Sequence, residues 1–126
     1  MENDNVRSDQ QNWPWPDELD ALIAAPENHT LLFENESVRV LDTRIGPGRT
    51  TPVHTHCWPG ALYVRSWSEF VRRDEKGNIV LDSRKVESLT TPPAVLWSDP
   101  LPPHTLENVG ENEIWVISVE LKKRKA

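Results

Sequence analysis

Cysteine is nearly missing from this chain: Cys57 is the single thiol in 126 residues. One thiol excludes an intramolecular disulfide framework and fits a reducing compartment, with Cys57 expected as a packed free thiol. No apolar run approaches membrane-spanning length, and the opening Met1-Glu2-Asn3-Asp4-Asn5-Val6 lacks the basic segment and apolar stretch of a secretory leader. The expectation is a soluble, cytoplasmic protein with no membrane partner. Basic charge is in the minority, with 14 Lys and Arg against 20 Asp and Glu and a formal net charge of -6. No basic face dominates, which argues against nucleic acid as a partner. The run Lys122-Lys123-Arg124-Lys125 is the exception, and at a terminus it reads as a solvated tail. Also absent are an internal repeat, a glycine-rich phosphate loop and any candidate acid or base for a pocket beyond the histidines. Metal-driven chemistry or plain ligand binding is what remains.

What is present fits one compact unit. A chain of this length can bury a single core and has no room for a second domain. Residues 1–12 are polar and offer little to bury against the entropy of ordering, so they read as a disordered tail. Trp13-Pro14-Trp15-Pro16 is extended by its prolines and is expected to pack on its own barrel or on a second subunit. Asp17 to Ala25 predicts a short helix with Leu19, Leu22 and Ile23 on one face, ended by Pro26. From Thr30 the pattern is β. Val38–Ile45 and Ile114–Leu121 are rich in β-branched residues, with Leu62–Val71, Ile79–Leu81 and Ala94–Trp97 as further candidates. Asn35-Glu36, Gly46-Pro47-Gly48, Asp74 to Asn78 and Gly110-Glu111-Asn112 supply turns, the third as a hairpin tip. Many short strands after one short helix indicate a sandwich or barrel rather than a parallel α/β sheet.

The chemistry lies in the histidines. His54-Thr55-His56 on an extended strand points both rings to one face, about 6 to 7 Å apart along the strand, a workable span for two ligands. His104, from a remote segment, supplies a third imidazole. His29, in Asn28-His29-Thr30, is expected to be an exposed turn residue rather than a fourth ligand.

Gly46-Pro47-Gly48-Arg49-Thr50-Thr51-Pro52-Val53-His54-Thr55-His56 resembles the first motif of the cupin family, and Pro103-His104 with Asn108 resembles the second. The resemblance covers residues 29–121. It implies an all-β double-stranded β-helix, the cupin or jelly-roll barrel, preceded by a tail with a short helix at 1–28 and followed by a basic tail at 122–126. It also implies a metal held by His54, His56 and His104, in the manner of the small three-histidine cupins that include β-diketone-cleaving and thiol dioxygenases. Two positions depart from the family pattern. Where a glutamate ligand is common, four or five residues after His56, the chain has Gly60 and Ala61. Leu101 replaces the glycine expected before His104, so the turn into that strand is expected to be built from Pro100, Pro102 and Pro103.

Three neutral imidazoles leave a divalent ion its full charge, so its open positions favour anions. Iron(II) is the favoured ion, with zinc, manganese or nickel also suited. An iron(II) dioxygenase acting on a small enolate, thiolate or carboxylate is the leading expectation. A non-catalytic ligand-binding module and a zinc hydrolase or isomerase are the alternatives. The break at Pro59-Gly60 resets strand parity, so either Leu62 and Val64 or Tyr63 and Arg65 face the pocket. Tyr63, Arg65 and Trp97 are the expected substrate contacts, with Arg65 as a clamp for an acidic group. Asn108 is expected to support the barrel and Glu107 to face the surface. The tryptophan-rich amino-terminal segment predicts a homodimer.

Overall fold

The computed structural model describes residues 13–122. The expected disordered tail over 1–12 and the solvated basic tail beyond Lys122 lie outside the described residues. Nine strands form two antiparallel sheets: β1 (His29–Glu34), β2 (Val38–Ile45), β3 (His54–His56), β4 (Gly60–Ser66), β5 (Phe70–Asp74), β6 (Ile79–Asp82), β7 (Val95–Ser98), β8 (Leu101–Asn108) and β9 (Ile114–Leu121). One sheet runs β1-β2-β9-β4-β7, the other β3-β8-β5-β6. Their facing surfaces enclose the interior, as two packed antiparallel sheets must to bury one face each.

The two β-branched runs became the central pair of the larger sheet. β2 and β9 pair residue for residue from Val38↔Leu121 to Ile45↔Ile114. Leu41 and Ile45 of this pair are buried, while Arg44 lies outside over the Trp115 ring. The single strand expected over Leu62–Val71 is two strands, because the chain leaves β4 at Ser66 and crosses to the other sheet at Phe70. Trp67 fills that corner, edge-on to Phe70 at 5.7 Å, with its Nε1 donating to the Leu89 carbonyl. The hairpin tip forms at Asp74–Asn78: the Asp74 carboxylate accepts from the backbone N–H groups of Lys76 and Asn78, and Gly77 takes a φ of 89°.

Two local expectations are corrected. The helix expected over Asp17–Ala25 is broken into a 3-10 turn at Asp17–Leu19 and a short helix α1 at Ala21–Ala24. Asp20 is the break, extended at ψ 144°; its carboxylate caps the Leu22 N–H and its backbone bridges Thr55 of β3. Tertiary pairing overrides helix propensity here. Second, Pro102 and Pro103 do not form a turn before β8 but lie within it. The β3–β8 register jumps from His54↔His104 to His56↔Leu101, so both prolines sit in the irregular stretch where the ladder needs no N–H from them.

Asn108, at the far end of β8, is fully buried and satisfied as few side chains are. Its amide donates to the carbonyls of Ile45 and Asn112, and its Oδ1 accepts from Ser68 Oγ and the Gly110 N–H. It ties three segments together, which is a structural role. Glu107 pairs with Arg73 at 2.8 Å, both a third exposed, on the outer side. No helix among the described residues is long and apolar enough to cross a membrane.

Candidate metal centre

All four histidines converge at one end of the interior. His54 and His104 are directly opposed across the β3–β8 pair, which brings their ring centroids to 4.3 Å. The His56 ring lies 5.1 Å from that of His54 and 5.9 Å from that of His104. His29 arrives from the opposite sheet, with ring centroids 4.8 Å from His54 and 5.2 Å from His56. The tightest trio is His29, His54 and His56, whose ring nitrogens lie within 4.8 Å of one another; His104 stands against it through its ring contact with His54.

His29 is thus a correction to its expected place in an exposed turn. It is 4% exposed. The cause is the docking of the amino-terminal segment: the Asp20–Thr55 bridge lays α1 beside β3. His29 then follows from the end of that helix, its backbone N–H and its Nδ1 both directed at the Ala25 carbonyl. No spacing rule in the sequence marks such a residue, because its position depends on a helix that docks on another strand.

The imidazoles share one protonation pattern. Nδ1 of His29 lies 3.0 Å from the Ala25 carbonyl, that of His54 2.8 Å from Pro52, that of His104 2.7 Å from Pro102, and that of His56 3.0 Å from a Glu120 carboxylate oxygen. Carbonyls and carboxylates only accept, so each Nδ1 carries a proton, and a neutral ring of this tautomer keeps its lone pair on Nε2. This is the tautomer a metal-binding histidine needs. Burial holds three of them neutral. It pulls His29 down to about 4 with help from His56, His54 down to about 2 with help from His104 and His56, and His104 down to about 3 with help from His56.

A carboxylate does stand beside the histidines, but it comes from a neighbouring strand and not from the position four or five residues after His56. Gly60, where the family pattern places glutamate, pairs directly with Glu120 of β9. The approach is so close that a Cβ on Gly60 would collide with the Val119 carbonyl and lie 3.0 Å from the Glu120 Cα. Glu120 is not poised as a ligand, since both oxygens are engaged. One accepts from His56 and the other, at 2.8 Å, from Arg39 Nε. The Arg39 guanidinium in turn donates twice to Asp20, at 3.0 Å each. Burial alone would raise the Asp20 and Glu120 carboxyls, but their hydrogen bonds and opposite charges outweigh it and hold both below the usual range.

This buried chain, Asp20–Arg39–Glu120–His56, sets two carboxylates and one guanidinium behind the cluster of imidazoles. A cation is its electrostatic complement. The residues therefore fit a divalent metal, with His29, His54 and His56 as the nitrogen donors, His104 beside them, and Glu120 orienting His56 from behind.

The centre opens onto a cavity of about 390 Å³ whose walls are mainly apolar. Leu62 and Trp58 line it, so the parity question after Pro59-Gly60 resolves toward Leu62. Tyr63 and Arg65 lie outside the cavity. Tyr63 is 60% exposed, and the exposed Arg65 rests against the Trp115 ring at 4.8 Å on the outer face. The alternation of β4 turns them outward. Trp97 lies at the rim, largely exposed, with its Nε1 donating to Asp99. Cys57 is buried.

Comparison with known proteins agrees with this architecture. No protein-family model matches the chain, and no curated protein matches its sequence. Solved structures do. A cupin domain from Bordetella pertussis Tohama I superposes with a TM-score of 0.56 at 17% identity, covering 75% of this chain and 92% of that one. A conserved protein with a double-stranded β-helix domain from Klebsiella pneumoniae gives 0.51 at 15% identity, covering 98% and 87%. An RmlC-like cupin-family protein from Methanocaldococcus jannaschii gives 0.50 at 11% identity, covering 74% and 79%. The fold is the cupin double-stranded β-helix, and the chain is a cupin-fold protein whose histidine group could hold a divalent metal.

Proposed function

We propose that this protein is a small metal-dependent enzyme in which neutral imidazoles hold a divalent ion and a small chelating anion, an enolate, thiolate or carboxylate, binds beside it. The observation that carries this reading is the shared orientation: every Nδ1 faces an acceptor, which leaves Nε2 of each neutral ring as the atom for a cation. When bound, the ion would supply Lewis acidity to the chelated anion and, if it is iron(II), the redox chemistry of oxygenative cleavage. Glu120 and Arg39 would fix the His56 ring, and the apolar walls would exclude water and strengthen the attraction between ion and anion.

An iron(II) dioxygenase is the first reading. His29 favours a second, redox-neutral one, a zinc-dependent isomerase or hydrolase. An octahedral ion held by three histidines keeps three positions, enough for a chelating substrate and dioxygen together. Were His104 to join His29, His54 and His56, two would be left, enough for the substrate alone. Metal analysis of the freshly purified protein, followed by oxygen uptake with acetylacetone as probe, separates them. Stoichiometric iron with oxygen consumption supports the dioxygenase; zinc with turnover in the absence of oxygen supports the second; no metal uptake on reconstitution with either ion sinks both.

The protein is also proposed to be a homodimer. Support comes from β1, an edge strand whose Leu31, Leu32 and Phe33 are all about half exposed, an apolar edge that proteins commonly cover.

A further inference from the structure

The arginine expected to meet the substrate lies outside the barrel, yet another lies within it. Arg72, on β5, lines the cavity. It is directly opposed to Leu106 of β8, which makes it a diagonal neighbour of His104 on the cavity face, a separation of roughly 7 to 8 Å between backbones. Other arginines with ionic partners are well provided for: Arg39 by Asp20 and Glu120, Arg44 by Asp42, Arg73 by Glu107 and Arg84 by Asp82. Arg72 makes no hydrogen bond or ion pair among the described residues. The carboxylates that line the cavity are engaged elsewhere, Glu120 by Arg39 and His56 and Asp99 by Trp97.

A guanidinium set among Phe70, Leu81 and Leu106 loses hydration without gaining a partner. Burial alone lowers its pKa, with no neighbouring carboxylate to oppose the shift. The missing partner is an anion that enters from solution. The apolar surroundings and the single cationic donor suit a singly charged, planar carboxylate, which a guanidinium grips with two parallel N–H groups, better than a doubly charged phosphate.

We propose that Arg72 is the anchor for the carboxylate of a small apolar acid, aromatic or branched, whose body fills the cavity while a second donor group reaches the histidines. This assignment rests on the reading of the histidine cluster as the reactive centre for its second half only. The carboxylate anchor stands on the cavity and can be tested with the metal present or removed.

The experiment is calorimetric titration of the full chain, chelator-treated and zinc-loaded, with 2-naphthoate and with 2-naphthalenemethanol, which share an aromatic body and differ in charge. Arg72→Met is expected to weaken naphthoate binding about tenfold or more in the metal-free protein while leaving the alcohol within about twofold. Arg72→Lys is expected to keep part of the preference. Unchanged naphthoate affinity in Arg72→Met overturns the proposal, as does an equal loss of both probes, which would mean that Arg72 only packs. Failure of the wild type to bind naphthoate below about 1 mM also overturns it. Should Arg72→Met not fold, judged by zinc uptake and melting, Arg72→Gln takes its place under the same criteria. A wild type that binds naphthoate through Arg72 but takes up no metal would refute the metalloenzyme reading and leave the anchor intact.

Discussion

The two ends of the interior are built on opposite principles. At the histidine end each Nδ1 has a partner at a fixed distance, and the chain Asp20–Arg39–Glu120–His56 passes orientation from an amino-terminal helix cap to an imidazole. At the other end Ile45, Phe70 and Ile114, with Trp67, Leu81, Leu89 and Leu106 against them, are held mainly by apolar contact, the Trp67 Nε1 bond to the Leu89 carbonyl being the exception. Hydrogen bonds fix angles and charge, whereas apolar packing fixes volume and is indifferent to small rotations. Damage at the first end should therefore change what is bound, and damage at the second how stable the protein is.

The strongest test of that contrast is removal of a donor. His54→Ala is expected to abolish stoichiometric metal, and His29→Ala to weaken it by about ten- to a hundredfold, by elemental analysis after dialysis. Full retention in His29→Ala would return that residue to a structural role. Next comes Arg39→Met, which leaves Asp20 and Glu120 buried without their cation. A loss of about 3 to 5 kcal/mol in denaturant unfolding is expected, and a loss under about 1 kcal/mol would show that water reaches the chain and that the two carboxylates are not sealed in.

Acid should act on the same end. The folded-state values of His29, His54 and His104 lie below the ordinary 6.5, at about 4, 2 and 3. Below pH 6.5 the unfolded chain therefore binds protons that the folded chain refuses. Stability is complete above pH 6.5 and falls as pH drops toward 4. In the chelator-treated protein the melting temperature should decline steadily over that window, and less steeply in His29→Ala. A flat profile would mean that the rings take up protons without unfolding. The smallest effect is expected from Leu89→Ala at the apolar end, a loss of about 1 to 2 kcal/mol with metal content unchanged. Loss of metal there would show that the two ends are one cooperative unit.

How much of this was legible beforehand differs by residue. The β2 and β9 strands were readable to their ends because their β-branched runs serve pairing and burial at once. His54 and His56 were readable because a two-residue spacing has one meaning on a strand. Tyr63 and Arg65 were misplaced because a single break at Pro59-Gly60 decides the parity of the whole following strand, and sequence offers no way to count across it. Glu120 and Arg72 were passed over for a related reason. Each looks like one charged residue in a strand, and only register shows that Glu120 stands opposite Gly60 and that Arg72 stands one strand from His104.

Composition and local pattern alone determined a β fold with a His-x-His pair and a distant third histidine, since period and turn chemistry are properties of neighbouring residues. Only the tertiary structure decided that His29 joins them, that Glu120 stands behind a ring rather than before a metal, and that Arg72 rather than Arg65 enters the cavity. Those outcomes depend on which strands lie side by side, a contest of burial and pairing among segments far apart in the chain.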